Sequence, residues 1–514
     1  MANFLDASRL AGGGWREKPF MRIPLFLLSI LCHFWPVVAP ANPNIVFFLA
    51  DDLGWGELGC YGQEKIKTPN IDRLASQGMR FSRHYTGAPV CAPARCVLMT
   101  GKHLGHAEIR DNGRSGNGRE FPGQRPISAE AVTIAEVLQD AGYATGGFGK
   151  WGLGPTDSSG SPIRQGFDRF YGYNCQRNAH SFYPPFLDDD EGEEAINENP
   201  IPGHLKKPEG DVRAEDYRAD TYAPDRILEE AVKFLDENKD EPFFLYCPFV
   251  EPHVAMHPPQ EWVDEYPEAW DDENGVYRGQ NGYLPHPRPR AGYAAMISDL
   301  DEHVGTILRR LEEHGLVDST IVIFTSDNGT THGGKDPQFG VGGVDAAFFA
   351  STAGLRGFKG SVYEGGIRVP CIVRWPGRIE ANSTTEVPSY FPDWFPTLCE
   401  AAGVTSPEEL DGEDLTAVLR QEGDFSRRKP MIWEFHGYGG QIAVMDGDWK
   451  AVRQSVKRRN QDPGPWELYH LGRDREESKD LSGTQSVELK RLIKAFTMDR
   501  SPGLNDPLPL YDGS

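Results

Sequence analysis

Four short apolar runs in this chain each stop at a polar cluster, and their spacing limits the folds open to it. Asn44–Ala50 stops at Asp51-Asp52-Leu53-Gly54, and Tyr143–Phe148 at Gly149-Lys150-Trp151. Phe243–Cys247 leads to Glu251-Pro252-His253, and Ile321–Thr325 to Ser326-Asp327-Asn328-Gly329. Runs this short and this continuously apolar fit strands buried on both faces. Thr133–Gly142, ahead of the second run, has the periodicity of an amphipathic helix. The alternation predicts an α/β fold, a large, mostly parallel sheet sandwiched by helices. Ligands of such sheets bind beyond the carboxyl ends of the strands, so the four segments should deliver their polar residues to one crevice.

Composition narrows the function. The 514 residues, 39% hydrophobic, suffice for one large domain with a smaller companion. With 53 basic and 76 acidic residues the net charge is −23, which argues against nucleic-acid binding through a basic face. A local cluster of Arg and Lys could still hold a small anion. Near the N-terminus, Met21-Arg22 precedes an apolar run from Ile23 to Val38 and then Ala39-Pro40-Ala41. Residues 1–41 therefore read as a secretory signal peptide, with Met21 as an alternative start because residues 1–20 carry no matching pattern. His33 and Pro36 interrupt the run, which is short for a membrane anchor. The expectation is an exported protein, periplasmic or secreted, with no stable membrane span after cleavage. Six cysteines outside the signal and position 91 permit disulfides, but their spacing selects no pairing.

Asp51 and Asp52, adjacent at a strand end, would repel each other without a cation between them. Asp327 and Asn328 end another strand in the same way. Three carboxylates and an amide oxygen form a hard, all-oxygen set suited to Ca²⁺ or Mg²⁺ rather than zinc. Taken singly, each pair would also fit an ordinary turn; following matched strands, they point to a metal site.

Cys91-Ala92-Pro93-Ala94-Arg95 runs on through Cys96-Val97-Leu98-Met99-Thr100-Gly101. Pro93 suits the first turn of a helix, which would put Cys91 at its positive end and Arg95 one turn on, a place for an anion. The string resembles the signature of the type I sulfatases, whose cysteine is oxidised after translation to formylglycine. Leu355 to Pro370, containing Lys359, resembles the second long signature of that family. The resemblance implies an alkaline phosphatase-like sheet and one divalent ion, usually calcium, held by Asp51, Asp52, Asp327 and Asn328 with residue 91 as a neighbour. It also implies a hydrated formylglycine attacking sulfur, a maturation enzyme that converts Cys91, and charge supplied by Arg95, Lys150 and Lys359. His253 would protonate the leaving alcohol; His257, four residues on, is its rival.

One departure stands out. Where many sulfatases read Gly-Lys-Trp-His-Leu-Gly, this chain has Gly149-Lys150-Trp151-Gly152-Leu153-Gly154. The missing histidine helps resolve the formylglycine, which leaves His103, His106 and His180 as candidates. Downstream, Thr405–Asp424 is acidic and turn-rich. Short strand-like runs at 431–435, 441–445, 449–453 and 466–469 and a helix over 486–496 then predict a small antiparallel sheet plus helix. The domains expected are thus 42–420, catalytic, and 421–514, a small α+β companion. Residues 188–198 and 270–290 read as long loops over the site, with Trp262, Trp270 and Tyr283 as aromatics able to stack on a sugar. The function expected is hydrolysis of a sulfated carbohydrate. The alternatives are a phosphate or phosphonate ester hydrolase of the same superfamily and a catalytically silent glycan-binding protein.

Overall fold

The computed structural model describes residues 42–113, 125–207, 209–273, 275–331, 339–423, 425–457, 462–503 and 508–512. The expected signal peptide lies outside the described residues. In chain order the strands are β1 (Asn44–Ala50), β2 (Met79–Tyr85), β3 (Ala144–Lys150), β4 (Arg169–Tyr173), β5 (Phe186–Asp189), β6 (Gly192–Ala195), β7 (Phe243–Pro248) and β8 (Thr320–Ser326). They continue with β9 (Arg368–Arg374), β10 (Ser383–Thr385), β11 (Ser389–Tyr390), β12 (Met431–Phe435), β13 (Gln441–Asp446), β14 (Trp449–Gln454) and β15 (Trp466–His470). The first eleven form one sheet in the order β10-β2-β9-β8-β1-β7-β3-β4-β5-β6, with β11 also on β2. Its centre, β8-β1-β7-β3-β4, is parallel throughout.

Both faces of this sheet are covered, and β1 shows how. Ile45, Phe47 and Leu49 belong to one apolar core, with residues of the helices Cys91–Thr100, Ile134–Asp140 and Trp394–Ala402. Val46, Phe48 and Ala50 belong to the other, with the helices Pro69–Gln77, Ala223–Glu237 and Pro289–Glu313. Successive side chains of a strand point to opposite faces, so an unbroken apolar run is what a doubly covered strand requires. The Ile134–Asp140 helix starts with a capping box. Thr133 Oγ1 accepts from the Glu136 N–H, and the Glu136 carboxylate accepts from the Thr133 N–H.

Strands β12-β13-β14-β15 make a separate antiparallel sheet. One face packs Ile442, Val444, Ala451 and Leu468 on Leu492 and Phe496 of the helix Ser486–Met498. The opposite face, including Trp433, Ala443, Met445 and Val452, joins the first core of the large sheet. An ion cluster reinforces this docking. Lys450 of β14, fully buried, lies 2.9 Å from Glu364 Oε1 and 2.9 Å from Glu477 Oε1. Removing the lysine would strand two buried carboxylates, so Lys450→Ala should lower unfolding stability by about 3–5 kcal/mol in urea titrations.

Two expectations need correction. Residues 188–198 do not form a loop over the site throughout: β5 and β6 pair antiparallel as a hairpin at the sheet's edge. Asp190, at φ 53°, makes the turn, and its carboxylate accepts from the Phe170 N–H. Charged side chains are usual on an edge strand, where they deter pairing with another chain. The 270–290 segment is also partly structured, with the short helix Ala269–Asp272 and a bridge between Tyr277 and His286. Cys60, Cys91, Cys96, Cys247, Cys371 and Cys399 form no disulfide. Among the described residues no helix is long and apolar enough to cross a membrane.

Candidate active site

The carboxyl ends of β1, β3 and β8, with the segments after β7 and before β9, meet where the helix Cys91–Thr100 begins. The Asp51 N–H donates to Glu251 O at 3.0 Å and the Asp327 N–H to Ala50 O at 2.9 Å, tying three strand ends together. In an extended strand Asp51 and Asp52 would point to opposite faces. Asp52 has φ 69°, a left-handed conformation that Asp adopts more readily than most residues, and that turn lets both acids serve one site. Its N–H donates to Asp327 Oδ1 at 3.2 Å.

Cys91 is the first residue of its helix, and one unpaired N–H there, that of Ala92, donates to Asn112 Oδ1 at 3.0 Å. The helix ends in Gly101, at φ 63°, whose N–H closes on Val97 O. The Cys91 thiol donates to Asp51 Oδ1 at 3.3 Å. Arg95, wholly buried, donates to Asp327 Oδ2 from Nε at 3.1 Å and Nη2 at 2.8 Å, with Asp51 Oδ2 at 3.6 Å. Lys150 pairs with Asp51. Lys359 Nζ reaches Asp52 at 2.6 and 2.8 Å. His253 Nδ1–H donates to Val254 O at 2.6 Å, which leaves Nε2 facing Asp52 Oδ2 at 3.6 Å.

The charges are unevenly balanced. Burial opposes ionisation of Asp51, but Lys150 and the other cations overcome it and hold the carboxyl well below the usual range. Asp52 goes the other way: burial, with the charge of Asp51, outweighs Lys359. Burial and Asp51 push Asp327 up to about 6 against Arg95 and Lys150. Burial, then Asp327 and Asp51, also push the Cys91 thiol up, while burial and Lys359 keep the His253 imidazole well below its ordinary value.

Such a cluster suits a hard divalent cation. Ligand atoms of Asp51, Asp52, Cys91 and Asp327 lie within 4.8 Å of one another. Asn328 Nδ2 donates to Asp52 Oδ1 at 2.7 Å, yet its Oδ1 is buried without a hydrogen-bond partner. An orphaned amide oxygen beside three buried carboxylates is a donor set for Ca²⁺ or Mg²⁺, and the residues present fit the ion.

Above this cluster a cavity of about 220 Å³ is lined by Cys91, Asn112, Lys150, Gln176, His180, His253, Tyr283, Thr331, Val341, Lys359 and Tyr438. His180 is thus the histidine candidate that reaches the cavity. Its ring stacks on His253 at 5.2 Å, and its Nδ1 lies 3.0 Å from His204 Nε2. His103 and His106 do not line it; they stack on each other and face Asp411 and Asp499. His257 is drawn away to Pro285 O at 2.8 Å. Of the three aromatics only Tyr283 lines the cavity. Trp262 and Trp270 pack against the second core. Asn112, Gln176, Thr331 and Tyr438 had no marker in the sequence, since each comes from irregular chain outside any periodic run.

Fold and site together define a hydrolase of small anionic esters, with a cation-fitting acid cluster beneath a cavity lined by two lysines. Residues 43–404 match the Sulfatase family model, and residues 357–498 match that of the N-sulphoglucosamine sulphohydrolase C-terminal region. The chain belongs to the sulfatase family and is a sulfuric ester hydrolase. It is 32% identical to human (Homo sapiens) arylsulfatase A over 452 residues, covering 84% of this chain and 78% of that protein. Against mouse (Mus musculus) steryl-sulfatase the identity is 29% over 476 residues, covering 80% and 71%. The crystal structure of Ps i-CgsB in complex with k-i-k-neocarrahexaose superposes with a TM-score of 0.69 at 26% identity, covering 92% of this chain and 95% of that one.

Proposed function

We propose that this sulfatase removes sulfate from a carbohydrate, with residue 91 acting as formylglycine after oxidation of Cys91 by a maturation enzyme, and with calcium in the acid cluster. The observation that carries the reading is the placement of Cys91. It stands at a helix N-terminus beside Asp51, on the wall of the cavity that Lys150, His253 and Lys359 also line. The neocarrahexaose bound by Ps i-CgsB favours a saccharide as substrate.

Hydrated formylglycine would supply the hydroxyl that attacks sulfur. A bound calcium ion would polarise the sulfuryl group as a Lewis acid. Asp51, Asp52, Asp327 and Asn328 would hold that ion. Arg95 orients the Asp327 carboxylate by donating to it from Nε and Nη2. Lys150 and Lys359 are cations held by their aspartate partners, and they offset the charge on the sulfuryl oxygens. An anionic ester in the cavity would favour the protonated form of His253, whose Nε2 then gives its proton to the departing alcohol oxygen. In the later step, His180, paired with His204, would take the proton of the second hydroxyl at residue 91 as sulfate is expelled, the role the family gives to a histidine at position 152. Residues 42–420 form the catalytic domain and 421–514 its companion, and the mature protein is exported after loss of residues 1–41.

Turnover of an aryl sulfate against the matching aryl phosphate, before and after dialysis with a calcium chelator, tests the reading. The sulfate should be strongly preferred. Chelation should lower kcat/KM by about 10²-fold or more, with recovery on adding calcium. Equal turnover of the phosphate, or indifference to chelation, would contradict it. Sulfate release from a sulfated oligosaccharide tests the substrate class.

A further inference from the structure

Gly152 occupies the position where the family pattern carries a histidine, and the structure shows what fills the space. The β3–β4 pairing continues beyond the strands. The Trp151 N–H donates to Tyr173 O at 2.9 Å and the Gly152 N–H to Asn174 O at 3.2 Å, which brings residues 152 and 176 side by side. Gly152 has φ +91°, and a Cβ placed there would lie 2.5 Å from Gln176 Nε2 and 3.0 Å from its Cγ. A side chain at 152 and the present position of Gln176 therefore exclude each other.

Gln176 is only 7% exposed, and it lines the cavity with Cys91, Lys150 and Lys359. Its Nε2 is buried without a hydrogen-bond partner. An amide left in that state keeps its full desolvation cost, and in a cavity built for an anion a ligand oxygen would remove it.

We propose that Gln176 contacts the sulfate group directly, its carboxamide donating to a sulfuryl oxygen in the space that Gly152 leaves open. The inference rests on the sulfate-ester reading above. A carboxamide, unlike an imidazole, does not titrate near neutrality and cannot take a proton. Gln176 therefore binds and orients the ester, and any base for the later step must come from elsewhere in the cavity.

The test compares the full-length wild type with Gln176→Met, which keeps bulk but loses the donor, and Gln176→Glu, which keeps shape but turns the donor into a carboxylate. Affinity for inorganic sulfate is read from the rise in Tm with sulfate concentration, alongside kcat and KM for an aryl sulfate. Without sulfate, Gln176→Met should melt within a few degrees of wild type. Its sulfate affinity should fall about 10-fold, the worth of one hydrogen bond to a charged group, with a larger loss in Gln176→Glu. The loss should fall mainly on KM. Variants that bind sulfate within about twofold of wild type, or a wild type that binds none, would overturn the contact. A wild type that binds sulfate through Gln176 but hydrolyses no sulfate ester would leave the contact standing and count against the parent reading.

Discussion

Replacing Cys91 by alanine should abolish turnover, lowering kcat for an aryl sulfate by at least about 10⁴-fold, the usual scale for loss of a nucleophile. The fold should survive. The thiol makes one hydrogen bond, to Asp51, and deleting a single sulfur atom costs about 1–2 kcal/mol, so Tm should fall by only a few degrees. Protein made without conversion of Cys91 should be just as inactive. Burial and the neighbouring Asp327 and Asp51 keep this thiol protonated, and a protonated thiol is a poor nucleophile. Stopped assays with matched Tm measurements would check both statements. Appreciable turnover by Cys91→Ala would place the nucleophile elsewhere.

The second large effect is expected at Asp327. Its carboxylate accepts two bonds from the wholly buried Arg95 and one from the Asp52 N–H, and it belongs to the acid cluster that fits the cation. Asp327→Asn keeps the shape and removes the charge. Calcium affinity, measured by titration calorimetry, should fall by about 10²-fold or more, and kcat/KM by about 10³-fold. Arg95 would keep only the more distant Asp51, at 3.6 Å, as a charged partner. In calcium-free buffer stability should not fall, because burial and Asp51 already oppose the charge on Asp327, so a loss seen only with calcium present separates the ion from the ion pair. Unchanged calcium affinity would remove Asp327 from the ligand set.

The elements that hold the acid cluster were legible because burial on both faces leaves an uninterrupted apolar run, and such a run ends where polar residues begin. β1 came out at Asn44–Ala50 as read, and β3, β7 and β8 within two residues at either end. Asp51, Asp52, Lys150, His253, Asp327 and Asn328 follow those runs, so placing the strands placed them. The 188–198 segment misled because carboxylates favour turns and solvent. At a sheet's edge, backbone pairing with β4 prevails over that preference. The choice between His103, His106 and His180 could not be made from sequence distance. His103 and His106 lie close to Cys91 along the chain, but the helix Cys91–Thr100 carries them away from its N-terminus, whereas His180 returns from the loop after β4. Gln176 gave no sequence signal at all, since its place depends on the missing side chain at Gly152.

The most direct measurement is the mass of the tryptic peptide His84–Arg95, from protein expressed in a host that carries the maturation machinery. The peptide should be lighter than the unmodified one by the difference between a thiol-bearing and an aldehyde side chain, in protein that releases sulfate. An unmodified cysteine at position 91 in fully active protein would contradict it.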